Sequence, residues 1–263
     1  MPLPPEFLQK IRPEDRFVFA FPRSGSRWLR DLVTDLFNQH LGGDPDALYA
    51  FAMEREKGQR AFAPPGLILS RQAVPDAHSE EYNSSVLPAH GFAAIFKSHH
   101  IVEVLRRTRA PLACTVRPPV TTLYAYYSFC IKLGIVEDAV SLREFCQWTL
   151  PLWQEHLQTM LGVHWTNPER AIFLHYGDAF PFRVTQLEAL ARHFNIPCPV
   201  GAAEAAVQRQ RTFLAQLNAD PSTSYPRGEN THCRQQVPDE LRQEIEAATA
   251  EVYEAAKSLD AAL

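Results

Sequence analysis

The sequence predicts an α/β protein in which helices flank a central parallel sheet. Short apolar runs of strand length alternate with longer segments whose apolar residues recur at helical spacing. The 263 residues contain no internal repeat and no linker that would divide them, so we expect a single domain. The first strand-like run also ends at a tight polar turn that leads directly into a helical pattern, as P-loop-like phosphate-binding turns do.

The first half of the chain supplies three predicted strands. Residues 16–21 form a buried strand, and residues 26–40 have helical spacing. A second strand is predicted at GFAAIFKSH and a third at PLACTVR, and the segment between them, IVEVLRRTR, is predicted to be a short helix. Residues 41–90 are rich in Pro, Gly, Ser and Asp, which breaks any period, so we expect a lid or a segment that binds the substrate.

The second half of the chain is mostly helical by its pattern. A helix with proline in its first turn is predicted at PPVTTLYAYYSFCIKLG, and a second, at SLREFCQWTLPLWQEHLQTML, is expected to break at Pro151. The run AIFLHYGD predicts a fourth strand. Two helices at about 181–194 and 202–217, a polar segment, and a long helix from Pro238 complete the chain.

Composition limits the classes of partner. The 26 basic and 30 acidic residues give a net charge of −4, so the chain as a whole does not attract nucleic acid or anionic membranes, and any anion site is local. The five cysteines are scattered without CxxC spacing, which indicates neither a disulfide framework nor a zinc site. No signal peptide or membrane-spanning run is recognisable, so we expect a cytoplasmic protein. We also expect that the protein needs no metal. The oligomeric state is not predictable.

The turn FPRSGSRW, residues 21–28, has the residue types of an anion site. Ser24 and Ser26 offer hydroxyl donors, Gly25 lets the backbone approach a ligand, and Arg23 adds a fixed positive charge. The backbone N–H groups at the start of the following helix point toward the same place. The Walker pattern GxxxxGK[ST] is absent, so the turn is not that of an ordinary NTP-hydrolysing P-loop.

Four motifs in register resemble those of the PAPS-dependent, cytosolic-type sulfotransferase family. FPRSGSRW resembles the family's 5′-phosphosulfate loop, commonly YPKSGTTW, and VRPPVTTLYAYYSF resembles its 3′-phosphate segment, RxPxDxxxSxYxF. FKSHH resembles the KTH element at the end of a central strand, and YPRGENTHCR resembles the C-terminal RKGxxGxWK loop. HYGD is also similar to the family's YED segment. The resemblance extends from about residue 16 to about residue 255.

The resemblance implies a site for 3′-phosphoadenosine 5′-phosphosulfate (PAPS) and its product adenosine 3′,5′-bisphosphate (PAP). Trp28 and Phe213 correspond to residues that stack on adenine, and Tyr176 lies in the YED-like segment. The residues that it assigns to the 5′-phosphosulfate are Arg23, Ser24, Gly25, Ser26 and Arg27, and those that it assigns to the 3′-phosphate are Arg117, Arg227 and Gly228.

The sequence departs from the family pattern at several positions. Arg23 replaces the usual Lys of the first loop, which preserves charge but removes a group that could donate a proton. Ala125 stands where the 3′-phosphate segment usually has Ser, and Ser128, one turn later, is a candidate replacement. Thr231 and Cys233 replace the Gly and Trp of the C-terminal loop.

The predicted strand that ends in FKSHH supplies the candidate base. Lys97 and His99 are two residues apart, so on a strand they share a face and bring a cation and a base to the carboxyl edge of the sheet. Histidine is the side chain whose proton exchanges near neutral pH. We therefore predict His99 as the general base, with Lys97 and Arg23 as the catalytic cations and His100 as the second choice for the base.

The resemblance implies sulfuryl transfer from PAPS to a hydroxyl or amine of a small-molecule acceptor, a natural product being one candidate. Residues 41–90 would bind the acceptor or act as a lid, and residues 218–237 would close on the nucleotide. The alternatives are a P-loop-like nucleotide kinase and a catalytically inert nucleotide-binding protein. Three tryptophans either line the acceptor pocket or fill the core: Trp148, Trp153 and Trp165.

Overall fold

The computed structural model describes five stretches of the chain: residues 16–56, 95–98, 109–177, 182–220 and 230–260. Within these stretches, no helix combines the length and the apolar character that crossing a bilayer requires. Several predicted elements lie wholly or largely outside the described residues: the short helix at 101–109, of which only the last residue is described, most of the irregular region up to residue 90, and residues 221–229 of the polar segment.

Four parallel strands form the described sheet, in the order β2-β1-β3-β4. They are β1 (Arg16–Ala20), β2 (Ile95–Ser98), β3 (Leu112–Val116) and β4 (Ala171–His175). Each begins within the run that predicted it, and the parallel arrangement confirms the predicted fold class. Strand β3 is buried along its whole length, as expected of a parallel strand with both faces covered.

Helices cover the sheet in two groups. The described helices are α1 (Ser26–Leu41), α2 (Pro45–Glu56), α3 (Pro119–Lys132), α4 (Leu142–Thr166), α5 (Val184–Phe194), α6 (Ala202–Ala219), α7 (Asn230–Gln235) and α8 (Asp239–Ser258). Helices α1, α2, α5 and α6 pack against one another, and α3 packs with α4, α7 and α8. Helix α5 is buried along one stripe, as its amphipathic pattern predicts, whereas α1 is buried on all sides from Trp28 to Asn38.

Two details of the sequence prediction are wrong. Helix α4 continues through Pro151 instead of breaking there. Proline has no backbone N–H, so the carbonyl of Gln147, four residues before Pro151, has no donor within the helix. Pro151 and Gln147 are both exposed, so water can bond to this carbonyl and the helix tolerates the proline. In addition, residues 45–56, within the stretch predicted to be irregular, form helix α2.

The aromatic side chains divide between core and surface. Trp153 is buried in the core, whereas 57% of Trp148 and 66% of Trp165 is exposed, so the described structure gives only Trp153 a packing role. Tyr126 and Tyr127 of α3 contact Phe145 of α4 edge-on, as expected of a stripe that packs two helices together.

The strand order creates a crevice at the carboxyl ends of β1 and β3. Strand β2 lies on one side of β1, and strand β3 lies on the other. The switch point of the topology is therefore between the adjacent strands β1 and β3. Open parallel sheets bind their ligands in the crevice at such a point. The turn after β1 and the residues that follow β3 therefore meet at one edge of the sheet.

Candidate functional site

The turn after β1 has an unusual backbone conformation. Ser24 N–H donates to the Phe21 carbonyl at 3.1 Å, and the turn has positive φ angles at Arg23 (68°) and Gly25 (89°). A left-handed conformation at a non-glycine residue costs about 1–3 kcal/mol and is typically retained where function requires it. Gly25 is also the N-cap of α1, whose first turn contains no acidic residue, so nothing there competes with a bound anion.

Arg117, the first residue after β3, connects this turn to the neighbouring strand by a hydrogen bond. Its Nη1 donates to the carbonyl oxygen of Arg23 at 2.8 Å, and its Nη2 lies 3.8 Å from the sulfur of Cys233 on α7. The Arg117 side chain is therefore buried between the turn, strand β3 and α7. A guanidinium at this position can organise the anion site as well as contribute charge to it.

Tyr176, the first residue after β4, completes the floor of the site. It is buried, the Arg117 guanidinium lies over its ring at 5.0 Å from the centroid, and its hydroxyl accepts a hydrogen bond from the Trp28 indole. Burial raises the pKa of Tyr176, while the charges of Arg117 and Arg23 oppose this shift. The side chain is thus a neutral structural element beneath the Arg117 guanidinium.

The remaining cations of the turn lie against aromatic rings. The Arg23 guanidinium lies 5.0 Å from the centroid of Phe129 on α3, and the Arg27 guanidinium lies 5.9 Å from that of Trp28. Arg27 Nε is also 4.0 Å from Asp31 Oδ2. Aromatic contacts orient a guanidinium while leaving its edge N–H groups able to bind an oxyanion.

Two rings that are distant in the sequence come together beside the turn. The centroids of Trp28 and Phe213 are 6.1 Å apart at an interplanar angle of 63°, and Tyr49 of α2 lies against Phe213 at 5.5 Å. A flat base stacked between two parallel rings needs them about 7 Å apart, twice the optimal carbon–carbon separation. Because the two rings meet edge-on, a base would fit between them only if at least one ring turned as well as moved away from the other.

Solved structures that match this arrangement of sheet and helices include a sulfotransferase and retinol dehydratase. Mouse sulfotransferase SULT7A1 complexed with PAP matches with a TM-score of 0.60 and 13% identity, over 97% of this chain and 91% of that chain. The chain has the sulfotransferase fold. Retinol dehydratase in a complex with retinol and PAP also matches, with a TM-score of 0.60 and 12% identity, over 94% of this chain and 86% of that one.

Sequence comparison agrees with the fold. Sulfotransferase 4A1 of Homo sapiens and that of Mus musculus are each 24% identical to this chain over 214 residues, which is 78% of this chain and 68% of each relative. No family model matches the chain. The similarity to curated sulfotransferases, together with the sulfotransferase fold, confirms the resemblance indicated by the motifs.

The sulfotransferase fold brings together most of the predicted nucleotide-site residues that the structure describes. Those from the turn, the end of β3, the end of β4 and helix α6 meet at one edge of the sheet: Arg23, Ser24, Gly25, Ser26, Arg27, Trp28, Arg117, Tyr176 and Phe213. Ala125 lies in α3, where Ser128, the candidate replacement for a missing hydroxyl, donates to the Tyr124 carbonyl at 2.9 Å. The roles of all these residues remain predictions.

Other predicted site residues are only partly covered. Lys97 lies in β2, opposite Val18 of β1. His99, His100, Arg227 and Gly228 lie outside the described residues. Their roles remain predictions from the sequence.

Sequence reasoning missed two residues beside the rings. Gln210 of α6 donates through Nε2 to the Trp28 carbonyl at 2.7 Å, and Arg209 makes a two-pronged ion pair with the buried carboxylate of Asp35 on α1. Gln210 precedes Phe213 by three residues, so helical spacing from the predicted stacking residue was the available signal. Nothing comparable in the sequence indicates that Asp35 and Arg209 are partners.

Two cavities flank this region. One, of about 510 Å³, lies between α2 and α6 and is lined by Tyr49, Met53 and Phe213, so it adjoins the aromatic pair. The other, of about 540 Å³, lies between the start of α3 and the middle of α8, where Pro118 and Tyr253 form part of its wall. The first cavity gives Phe213 open space on the side toward α2.

Proposed function

We propose that the protein transfers a sulfuryl group from PAPS to a hydroxyl or amine of a small-molecule acceptor and releases PAP. The observation that supports this most directly is the hydrogen bond from Arg117 to the Arg23 carbonyl, which joins the residue predicted to bind the 3′-phosphate to the turn predicted to bind the 5′-phosphosulfate. Both ends of a doubly phosphorylated nucleotide then meet one connected set of cations.

The turn is suited to stabilising a leaving phosphate. In an in-line transfer the sulfuryl group passes between two oxygens, and catalysis consists mainly of positioning and of stabilising negative charge on the departing oxygen. The N-terminus of α1, the Ser24 and Ser26 hydroxyls and the Arg23 guanidinium supply such stabilisation. Arg23 retains its proton under all ordinary conditions, so it acts through charge alone.

The acceptor has to lose a proton, and we propose His99 as the base that takes it. Lys97, two residues earlier, contributes a nearby positive charge, which keeps the imidazole neutral and ready to accept a proton. Replacing His99 with Ala should lower turnover by two to four orders of magnitude, about 10²–10⁴, with PAP binding nearly unchanged. If His100→Ala is the inactive variant instead, the assignment shifts to His100; if both retain normal turnover, the proposed base is wrong.

The acceptor is proposed to be a small organic molecule. Two of the solved structures with this fold are of retinol dehydratase, one with retinol and PAP and one with androsterone and PAP. These ligands support an apolar molecule that carries one hydroxyl as the first class to screen. Residues 41–90, of which 45–56 form α2, are proposed to contact the acceptor, and residues 218–237 to close on the nucleotide. A single domain acting in the cytoplasm completes the proposal.

Isothermal titration with PAP, AMP, ATP and GTP tests the donor half of the proposal. We expect PAP to bind much more tightly than AMP, because Arg117 and Arg227 are assigned to the second phosphate. Equal affinities for PAP and AMP would reject the site, and preferential binding of ATP or GTP would favour a nucleotide kinase. Transfer of label from PAPS to an acceptor then distinguishes an enzyme from a catalytically inert binding protein.

A further inference from the structure

The cavity between α2 and α6 has the size and the walls of a ligand site. Its volume of about 510 Å³ lies within the range of about 300–1,000 Å³ that is typical of small-molecule pockets. The buried rings of Tyr49 and Phe213 line it, together with the partly buried side chain of Met53. Aromatic rings and a flexible thioether pack well against a flat apolar molecule. The walls therefore favour an aromatic ligand.

One charged side chain in the wall has a donor to offer such a ligand. Arg209 lines the cavity, and its Nε and Nη2 donate to the two carboxylate oxygens of Asp35, at 2.8 and 2.6 Å. Its remaining nitrogen, Nη1, has no hydrogen-bond acceptor among the residues that the structure describes. Arg209 can therefore donate to a molecule in the cavity through Nη1 and keep its ion pair with Asp35.

The charges around the cavity favour an uncharged ligand. Asp35 already balances the charge of Arg209. Asp46, at the start of α2, also lines the cavity and would repel a carboxylate or a sulfate. An ammonium group would in turn face the Arg209 guanidinium. A neutral hydrogen-bond acceptor, such as a carbonyl group, meets neither repulsion.

The cavity is separate from the place of the proposed transfer but shares a side chain with the candidate nucleotide site. An acceptor has to reach the turn after β1, and none of the described residues 21–27 lines the cavity. Phe213, however, both lines the cavity and contacts Trp28 edge-on, with the ring centroids 6.1 Å apart. Under the proposed function at least one of these rings has to turn and move when the nucleotide binds. A molecule packed against Phe213 from the cavity restricts that movement.

We propose that this cavity is an effector site for a neutral aromatic molecule with a carbonyl group, and that its occupation weakens nucleotide binding. The ligand packs against Tyr49 and Phe213 and accepts a hydrogen bond from Arg209 Nη1. Because it holds Phe213 against Trp28, the effector and the nucleotide reduce each other's affinity by the same factor. The effect on the nucleotide rests on the proposed function, whereas the site itself does not.

The probe for the site is Prodan, a naphthalene that carries a propionyl group and a dimethylamino group. It is flat and uncharged, its emission shifts to shorter wavelength in apolar surroundings, and it has no hydroxyl or N–H group that could accept a sulfuryl group. We expect saturable binding to the unaltered protein in a fluorescence titration. Absence of saturable binding would overturn the proposal.

A pair of matched variants locates the bound probe. Ala50→Phe adds a ring at the cavity wall and should weaken Prodan binding about tenfold or more, because a filled cavity can no longer bury the naphthalene. Ala215→Phe is the same change at an exposed position of α6 outside the wall, and it should leave the affinity unchanged. Equal affinities in the two variants would overturn the site.

Removing the carbonyl from the probe tests the hydrogen bond from Arg209. The same naphthalene without its propionyl group should bind the unaltered protein about tenfold more weakly than Prodan, as expected for a hydrogen bond from a charged donor. Equal affinities would overturn the role of Arg209. This comparison needs no variant, so it decides the matter if Ala50→Phe does not fold, as judged by its thermal unfolding.

Titrating Prodan at increasing concentrations of PAP measures the coupling. We expect PAP to weaken Prodan binding about fivefold or more and the effect then to level off, since the two ligands occupy different sites. Weakening without limit would mean that Prodan occupies the nucleotide site, and would overturn the proposal. If PAP binds but leaves the Prodan affinity unchanged, the effector role is wrong and the proposed function stands. If PAP does not bind at all, the proposed function and the effector role both fail, and the matched variants still decide whether the cavity binds the probe.

Discussion

The ring of Tyr176 occupies the space that a side chain at residue 25 would need. A Cβ on Gly25 would overlap the Tyr176 ring, and it would also lie 3.4 Å from Phe182. The residue after β4 is thereby packed against the turn after β1, although the two strands are not neighbours in the sheet. Because Tyr176 also lies beneath Arg117 and accepts a hydrogen bond from Trp28, a single ring positions three parts of the candidate nucleotide site.

Replacing Gly25 with Ala should destabilise the protein for two reasons. The left-handed backbone at φ 89° disfavours any residue with a Cβ, and the added methyl group would overlap Tyr176. Together we expect a loss of about 3 kcal/mol or more in the free energy of unfolding, measured by urea denaturation, with weaker PAP binding.

Gly201→Ala is the matched control for this change. Gly201 is also a helix N-cap with positive φ, at 81°, but a Cβ there would meet nothing within 4 Å. It should therefore show only the backbone cost, about 1–2 kcal/mol. Equal losses in the two variants would mean that the contact with Tyr176 contributes nothing.

Arg117→Ala should weaken the binding of both PAP and AMP. Removing a charged partner of the 3′-phosphate is expected to cost about 2–4 kcal/mol of PAP affinity. The same change frees the Arg23 carbonyl from its 2.8 Å hydrogen bond, so AMP binding should also fall, by about tenfold. Titration calorimetry measures both. Arg143→Ala, at an exposed position of α4 where the arginine pairs with Glu244, should alter neither. Unchanged AMP binding in Arg117→Ala would show that the turn holds its shape without this bond.

The ion pair between Asp35 and Arg209 should be important for stability. Asp35 is fully buried and accepts hydrogen bonds from Arg209 Nε at 2.8 Å and Nη2 at 2.6 Å. Arg209→Met would leave the buried carboxylate of Asp35 without its cation, with Gln39 still donating to Oδ1 at 2.7 Å. Since 25% of the Arg209 side chain is exposed, we expect a loss of about 3 kcal/mol, the lower end of the range for breaking a buried pair.

Two comparison variants make this measurement specific. Arg143→Met breaks the exposed pair between Arg143 and Glu244, for which we expect less than about 1 kcal/mol. The double variant Asp35→Asn with Arg209→Met removes the buried charge as well, so it should be more stable than Arg209→Met alone. If the double variant is the less stable of the two, the carboxylate itself is not the source of the destabilisation.

Protonation of His193 should weaken the fold in mild acid. Burial, together with the charge of Arg16, lowers the pKa of His193 below its ordinary value of 6.5, while the hydrogen bond to the Leu112 carbonyl, at 2.9 Å, opposes this shift. The unfolded state therefore takes up the proton first, and the free energy of unfolding falls as the pH drops below about 6.5.

Urea denaturation at several pH values, for the unaltered protein and for His193→Gln, measures this contribution. Glutamine can still donate to a carbonyl but does not titrate, so the pH dependence below about 6.5 should be shallower in the variant. Identical pH dependence in the two proteins would rule out His193 as the source.

Much of the fold was predictable from local pattern. Each of the four strands is an apolar run, and residues 26–40 have apolar residues at helical spacing. Such a pattern can be read within the segment itself, because it shows which faces the segment buries. The prediction at Pro151 was wrong because the cost of a proline inside a helix depends on whether the carbonyl that loses its hydrogen bond is exposed to water. This exposure depends on which face of α4 the rest of the protein covers.

The sequence by itself determined the conformation of the turn that we propose binds phosphate, because Gly25 allows a left-handed backbone that few other residues permit. Tertiary structure alone decided the rest of the site. Arg117 meets the Arg23 carbonyl, Tyr176 meets Gly25 and Gln210 meets Trp28 only because strands β1, β3 and β4 end at the same edge of the sheet while α6 packs on α1. Such contacts join residues far apart in the chain, and local pattern contains no information about which distant side chain fills the space.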